Sequence, residues 1–458
     1  MAIADRVPGP KGNRFKGQIQ AFRENTLGFL LDCAHDYGDV VHFKTGPRDH
    51  FLLNHPDYIK DVLVTNNRNF TKSPFIQGKP LMGEGLITSE GEFHHRQRRL
   101  AQPAFHRKRI ATYASIMTQY SKRHIERWQD GETRDIAEDM MQLALAIVSK
   151  ALYDTDVEAE TDSIGAAVDT VMLATQRSPA WLYRLAPSSV IKVLDQLPLP
   201  ANQRFLQAKA RLDTTIYRMI AEHRAHGGGD DLLSMLMRTT DEDQDGAQMS
   251  DAQLRDEAIT IFLAGHETTA NALTWAWYLL STHPQVEAKV YAEIDEVLGG
   301  RVPTIDDIPK LTYIDMVVHE SLRLYPPVWM MARTSINAFD VGGYRIPAKT
   351  SVMFGPYVMQ RDPRYFPDPE RFDPMRWTPE AQAERPKFSY FPFGGGPRQC
   401  IGEAFAWMEL ITVLATIAQH WRMRVVPGHV VEPQPRLTLR PRNGVMMKFE
   451  ERVPVPHL

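Results

Sequence analysis

Cysteine is nearly absent: Cys33 and Cys400 are the only two in 458 residues. Two cysteines cannot build a disulfide scaffold, and such sparing use points to a reducing compartment. Long apolar runs are missing too, since none reaches the ~18 residues of a membrane span. Charge of either sign shows no excess. The 53 Lys and Arg nearly balance 56 Asp and Glu, for a net of −3, which argues against a nucleic-acid-binding surface. No repeat recurs at solenoid periods. The start, MAIADRVPGPKGNRFKG, is charged and rich in Pro and Gly, and reads as neither a signal peptide nor a membrane anchor. What remains is 43% hydrophobic and 24% charged, a soluble globular composition long enough for a large core. The expected setting is cytoplasmic. Length alone suggests two or three domains, but no linker supports a split, so residues 1–458 are read as a single domain.

The pattern along the chain is mainly α with a small β part. Residues 26–39 read as helix. Residues 40–54 alternate around Gly46-Pro47 and read as a hairpin. Residues 55–66 carry an early proline and helical spacing. From about 90 to 330 the texture is helical, broken at exposed connections over 226–231 and 239–251. Residues 241–246 spell Asp-x-Asp-x-Asp-Gly, yet the twelfth position of a calcium loop falls on Ala252 rather than glutamate, so the stretch reads as a solvated turn. After Pro326 come short strand-like pieces until helix returns at 402. The β part is drawn from about 36–56 and 327–372.

Cys400 stands in FPFGGGPRQCIGEAFAWMEL, residues 391–410. Gly394, Gly395, Gly396 and Gly402 permit close backbone approach and positive φ. A thiol ahead of a helix faces backbone N–H groups and the positive dipole end, and both favour thiolate. Thiolate is a nucleophile or a metal ligand. A nucleophile needs a histidine base, and zinc needs further Cys or His ligands. A buried structural cysteine is the plain alternative.

Residues 393–402, FGGGPRQCIG, fit Phe-x-x-Gly-x-Arg-x-Cys-x-Gly at every fixed position. The stretch resembles the haem-thiolate loop of the cytochrome P450 family. The resemblance implies haem b (iron protoporphyrin IX) lying between a long central helix and a cysteine loop on its opposite face. Cys400 would be the axial ligand, Phe393 would pack beside the sulfur, and Arg398 would pair with a propionate. Glu320 and Arg323 supply Glu-x-x-Arg, and Arg371 lies in Pro-Glu-Arg-Phe. The family joins these in a buried polar network behind the cysteine. Residues 251–283 form a long apolar helical stretch interrupted by AGHETTA at 264–270. There Ala264 and Gly265 would leave room for dioxygen. Thr268 would hydrogen-bond that oxygen during its activation, Glu267 would feed the proton relay, and His266 reads as structural. His94 and Arg98, spaced i,i+4, and Arg333 would reach the propionates; the family more often places Trp where His94 stands.

The motifs occur in family order along essentially the whole chain. They imply a monooxygenase that inserts one atom of O2 into a lipophilic substrate. No flavin or iron–sulfur domain is apparent, so electrons are expected from a separate ferredoxin or flavoprotein. Residues 94–109 hold Arg96, Arg98, Arg99, Arg107, Lys108 and Arg109 and no acid, which makes this segment a candidate docking surface. A haem isomerase or dehydratase on the same fold is the alternative, but such enzymes usually lack the acid–threonine pair. A gas sensor would need an output module, and none is apparent. Segments 70–88, 171–187 and 326–334 would cover the substrate. They offer Phe75, Ile76, Leu81, Met82 and Leu86, then Met172, Leu173 and Trp181, and finally Val328, Trp329, Met330 and Met331. Lys72, Lys79, Arg177 and Arg184 supply scarce charge. That mixture suits a fatty acid, a terpenoid or a steroid-like lipophile.

Overall fold

The alternation in residues 40–54 becomes the hairpin that organises the β part. In the computed structural model, which describes residues 7–12, 17–72, 79–154, 200–229, 231–241 and 247–452, strand β1 (Val40–Thr45) pairs antiparallel with β2 (Arg48–Leu53). Gly46 takes φ +64° at the turn. The strands β3 (Phe70–Lys72), β4 (Met331–Ser335) and β5 (Ser351–Phe354) complete a five-stranded sheet in the order β1-β2-β5-β4-β3. Only the β5–β2 pair is parallel.

Period-two alternation gives the sheet two buried faces. Val41, Phe43 and Leu52 pack on helix α1 (Thr26–Tyr37) through Leu30 and Cys33. Val40, Phe51 and Leu53 join Leu63, Phe354, Phe388 and Phe391 on the other side, directly behind the segment that leads to Cys400. Helix α1 starts where the Asn25 side chain accepts the Gly28 amide at 3.1 Å and stops at Gly38, φ +87°. Burial, with Asp32 and Asp36 nearby, pushes the Cys33 thiol up to about 12, so Cys33 is an inert core residue.

Residues 55–66 depart from the expected plain helix. Pro56–Lys60 is α-helical, but Asp61–Thr65 widens into a π-helical turn in which the Asn66 amide reaches Asp61 O at 2.8 Å. The turn carries the Leu63 carbonyl to Gly396.

The helices that position the chemistry are α2 (Gly91–Ala101), α3 (Ile136–Tyr153), α4 (Pro200–His226), α5 (Asp251–Thr282), α6 (Thr312–Leu324) and α7 (Glu403–His420). The chain divides into two compact units. One comprises residues 1–73, 121–140 and 268–458 and holds the sheet, α6 and α7. The other comprises 74–120 and 141–267 and holds α2 and α4; the boundary falls within α5. Residues Thr240–Asp241 pair with Ala247–Gln248, and most of the Asp-rich turn between them lies outside the described residues. Among the described residues, no helix is long and apolar enough to cross a membrane.

Candidate functional site

The Cys400 loop is a series of tight turns locked by backbone bonds. The Gly394 amide donates to Phe391 O at 2.9 Å, the Gln399 amide to Gly396 O at 3.0 Å, and the Cys400 amide to Phe393 O at 2.9 Å. Gly396 sits at φ +66°, and a Cβ there would collide with the Leu63 carbonyl, so only glycine serves. A Cβ on Gly395 would lie 2.6 Å from the Phe388 ring. This closure leaves Cys400 exposed, in contrast to Cys33. Gly402 is the N-cap of α7, so the sulfur precedes the positive end of a long helix. The Phe393 ring lies edge-on to Trp407 at 5.9 Å, and Trp407 is fixed by donation to Asp315 Oδ1 at 2.6 Å. Arg398 is half-buried in the turn Gly396–Arg398 of the same loop. Among the described residues, no group of three or more His, Cys, Asp or Glu side chains could hold a metal ion directly. The donor set at this loop is one exposed cysteine with an arginine in the same loop. This fits a metal whose remaining ligands come from a prosthetic group, as in a haem.

Behind the loop lies the Glu320–Arg323 pair, with both side chains fully buried. Arg323 binds Glu320 bidentately, through Nε at 2.8 Å and Nη2 at 2.8 Å. Its Nη1 also donates to Gln360 O at 2.9 Å and Pro369 O at 2.7 Å. The expected third member is corrected. Arg371 points outward, its side chain 68% exposed and 3.9 Å from Asp373, and it gives the network only its carbonyl, 3.1 Å from Arg323 Nη2. The Pro-Glu-Arg-Phe tract turns its carbonyls inward because Arg323 has more donors than Glu320 can satisfy. The remaining Glu320 capacity goes to Trp377 Nε1 at 2.8 Å, the Asp373 amide at 3.0 Å and the Arg376 guanidinium at 3.4 Å. Sequence reading missed Trp377, Arg376 and Gln360, although Pro374-Met375-Arg376-Trp377 repeats the Pro-x-Arg-aromatic pattern of residues 369–372.

Helix α5 runs 32 residues without a break. Its buried polar residues cluster in the expected interruption. His266 is 3% exposed and Nε2 meets Met141 O at 3.1 Å; burial brings its pKa down to about 4, which keeps it neutral and structural. Glu267 is buried and Thr268 half-buried. A Cβ on Gly265 would lie 3.1 Å from Val148 Cγ2 of α3, so glycine admits a close helix–helix contact here. Ala264 is half-buried on the same helix.

The other expected haem contacts stand on separate elements. Arg333, 9% exposed, lies on β4 with its guanidinium carbon 5.9 Å from the Phe354 ring centroid. His94 is buried on α2, with Nδ1 3.4 Å from Ser89 Oγ, and Arg98 is half-buried one turn on.

Among the expected substrate residues, Leu81 and Leu86 are buried and Met82 is half-buried. Trp329 is held in the core by donation to Arg436 O at 2.9 Å, and Met330 and Met331 pack against the two sheet faces. Val328 is exposed. Phe75, Ile76, Met172, Leu173, Trp181, Arg177 and Arg184 lie outside the described residues, as do the side chains of Lys79, Arg107 and Lys108. Sequence reading missed an apolar hollow lined by Leu212, Ile216 and Met219 of α4 and by Tyr153, Ile259 and Phe262.

The family profile described as Cytochrome P450 matches residues 7–449. The chain belongs to the cytochrome P450 family. It resembles cyclooctatin synthase of Streptomyces melanosporofaciens at 42% identity over 433 residues, covering 94% of this chain and 92% of that protein. Cyclooctat-9-en-7-ol 5-monooxygenase of the same organism is 37% identical and covers 90% of this chain and 88% of that protein. Pentalenene oxygenase of Streptomyces avermitilis is 36% identical and covers 91% of each. The solved haem domain of cytochrome P450DA superposes with a TM-score of 0.86 at 26% identity, covering 98% of both chains. As a P450, the protein is a haem-dependent monooxygenase acting on a hydrophobic substrate.

Proposed function

We propose that this P450 hydroxylates a terpenoid, with haem b held by the Cys400 thiolate and with electrons from a separate ferredoxin or flavoprotein in the cytoplasm. The observation that carries the ligand assignment is the Cys400 loop, whose glycines and backbone bonds present one thiol ahead of a helix. When bound, the haem supplies reductive activation of O2, so that one oxygen atom enters the substrate and the other leaves as water. Cys400 would hold the iron as a charge-donating thiolate, a form that backbone N–H groups at the helix start would favour. Arg398, Arg333, His94 and Arg98 bind the propionates through charge-assisted hydrogen bonds. Phe393 shields the sulfur, and Ala264 and Gly265 leave space for dioxygen. Thr268 positions a hydrogen bond to the reacting oxygen, and Glu267 passes protons to it. The family match over 7–449 supports reading the chain as one haem domain.

The terpenoid assignment rests on relatives named for cyclooctatin, cyclooctat-9-en-7-ol and pentalenene. The test is a titration of haem spin state with terpenoids, fatty acids, steroids and small polar compounds. A low-to-high spin shift at the lowest concentration with a terpenoid is expected; tight shifts confined to a small polar compound would overturn the assignment.

A further inference from the structure

Two buried side chains on α5 each keep one polar atom unused. Glu257 is 1% exposed and Thr260 2%. Glu257 Oε2 accepts the Leu86 amide at 3.0 Å, while Oε1 has no hydrogen-bond partner and neither has the Thr260 hydroxyl. A buried polar atom left unsatisfied costs stability, and native proteins keep few of them without a use. The carboxyl is anchored by one oxygen and so presents the other in a fixed direction.

The surroundings suit a ligand. Glu257 and Thr260 are spaced i,i+3, and the same face of the helix reaches Ala264 at i+7. The segment over them is held by backbone. The Glu84 amide donates to Asp256 Oδ2 at 2.8 Å, and Thr88 Oγ1 donates to Gly83 O at 2.7 Å. A Cβ on Gly83, at φ +54°, would collide with Asp256, and one on Gly85 with Thr260 Oγ1. Gly85 therefore brings bare backbone against the Thr260 side chain.

We propose that Glu257 and Thr260 form a recognition site for a hydroxyl group on an otherwise apolar substrate. This deepens the terpenoid reading and rests on it. A hydroxyl has one donor and spare acceptor lone pairs. It would donate to Glu257 Oε1 and accept from Thr260 Oγ1, satisfying both unused atoms at once. A ketone would satisfy Thr260 alone, and a carboxylate would be repelled by Glu257 and Asp256. Burial, reinforced by Asp256 and opposed by the Leu86 amide, pushes the Glu257 carboxyl up to about 7, so near neutral pH it can also serve as a donor. Ala264 lies ~10 Å beyond Glu257 and ~6 Å beyond Thr260 along the helix axis. With Ala264 next to the reacting oxygen, as proposed above, the recognised hydroxyl would lie roughly 6–10 Å along the helix from that point, a distance that one terpenoid skeleton spans. The enzyme then follows a step that has already placed oxygen on the skeleton, either an earlier hydroxylation or the capture of water by a cyclising hydrocarbon cation.

Spin-state titration of the haem-loaded enzyme tests this with two sets of ligands. One is cedrene, cedrol and cedryl methyl ether; the other is ent-kaurene, its 16-alcohol and the methyl ether of that alcohol. In wild type the alcohol of at least one set should bind about 10-fold or more tighter than its hydrocarbon and its ether. Thr260→Val should shrink that advantage. Glu257→Gln keeps an acceptor for the Leu86 amide and offers an N–H to an ether oxygen, so it should narrow the alcohol-to-ether ratio. If Glu257→Gln does not retain haem, Thr260→Val decides alone. Equal affinity within each set in wild type would overturn the inference and leave the terpenoid reading standing. Alcohol preference unchanged in both variants would also overturn it. No spectral shift with any of the six compounds would overturn the terpenoid reading, and the inference with it.

Discussion

The Phe391 amide donates to Gln360 Oε1 at 3.2 Å, and Gln360 Nε2 donates to the carbonyls of Leu322 and Arg323 at 3.0 Å each. One glutamine thus ties the entrance of the Cys400 loop to the end of α6, where Arg323 grips Glu320. The buried ion pair and the thiolate loop are held as one assembly through backbone groups.

That assembly predicts a ranking of substitutions. Arg323→Ala leaves Glu320 as a buried charge without its bidentate partner and should cost about 3–5 kcal/mol in urea unfolding. Arg371→Ala removes only an exposed side chain and should stay within about 0.5 kcal/mol of wild type. Gln360→Leu should fall between them and release haem faster, because the Phe391 amide loses its acceptor. An Arg371→Ala loss as large as that of Arg323→Ala would contradict the corrected network.

Thr268 carries the next prediction. Thr268→Ala should keep haem and substrate binding while the reducing equivalents consumed are diverted to hydrogen peroxide, since the reacting oxygen loses a positioned hydrogen bond. The check is product formed per electron donor oxidised. A ratio equal to that of wild type would remove Thr268 from this role.

Glu257 gives a dependence on pH. Its folded pKa, about 7, lies above the ordinary 4.5, so folding favours the protonated form. The stabilisation is fully present below about 4.5 and is lost as pH rises through 7, a swing of roughly 3 kcal/mol at most. Glu257→Gln should therefore flatten the fall in thermal midpoint between pH 5 and 8 and be more stable than wild type at pH 8. Parallel curves for the two proteins would contradict the burial argument.

Much of this was legible in the sequence because it depends on local rules. The hairpin followed from alternation around Gly46-Pro47, and the thiolate loop from glycines placed where positive φ and close approach are needed. Arg371 was misread because a motif fixes a position in the chain but not whether its side chain or its carbonyl faces the core. Gln360 gave no signal, and Arg376 and Trp377 were passed over because Pro374-Met375-Arg376-Trp377 repeats, five residues on, the pattern to which Arg371 belongs. The π-helical turn at 61–65 was hidden because its apolar spacing reads as ordinary helix. The close approach of Val148 to Gly265 was not legible, because Val148 is far away in sequence. Glu257 and Thr260 drew no reading from the sequence, since their burial and their unused atoms depend on tertiary packing.

The central claim is that Cys400 is the thiolate ligand of the haem iron, and the spectrum of the reduced protein under carbon monoxide tests it most directly. Thiolate donation shifts the Soret band of that complex strongly to the red relative to a histidine-ligated haem. The wild-type protein should show the red-shifted band, and Cys400→His should bind carbon monoxide without it. A wild-type spectrum of the histidine-ligated kind, or a red-shifted band that persists in Cys400→His, would contradict the account.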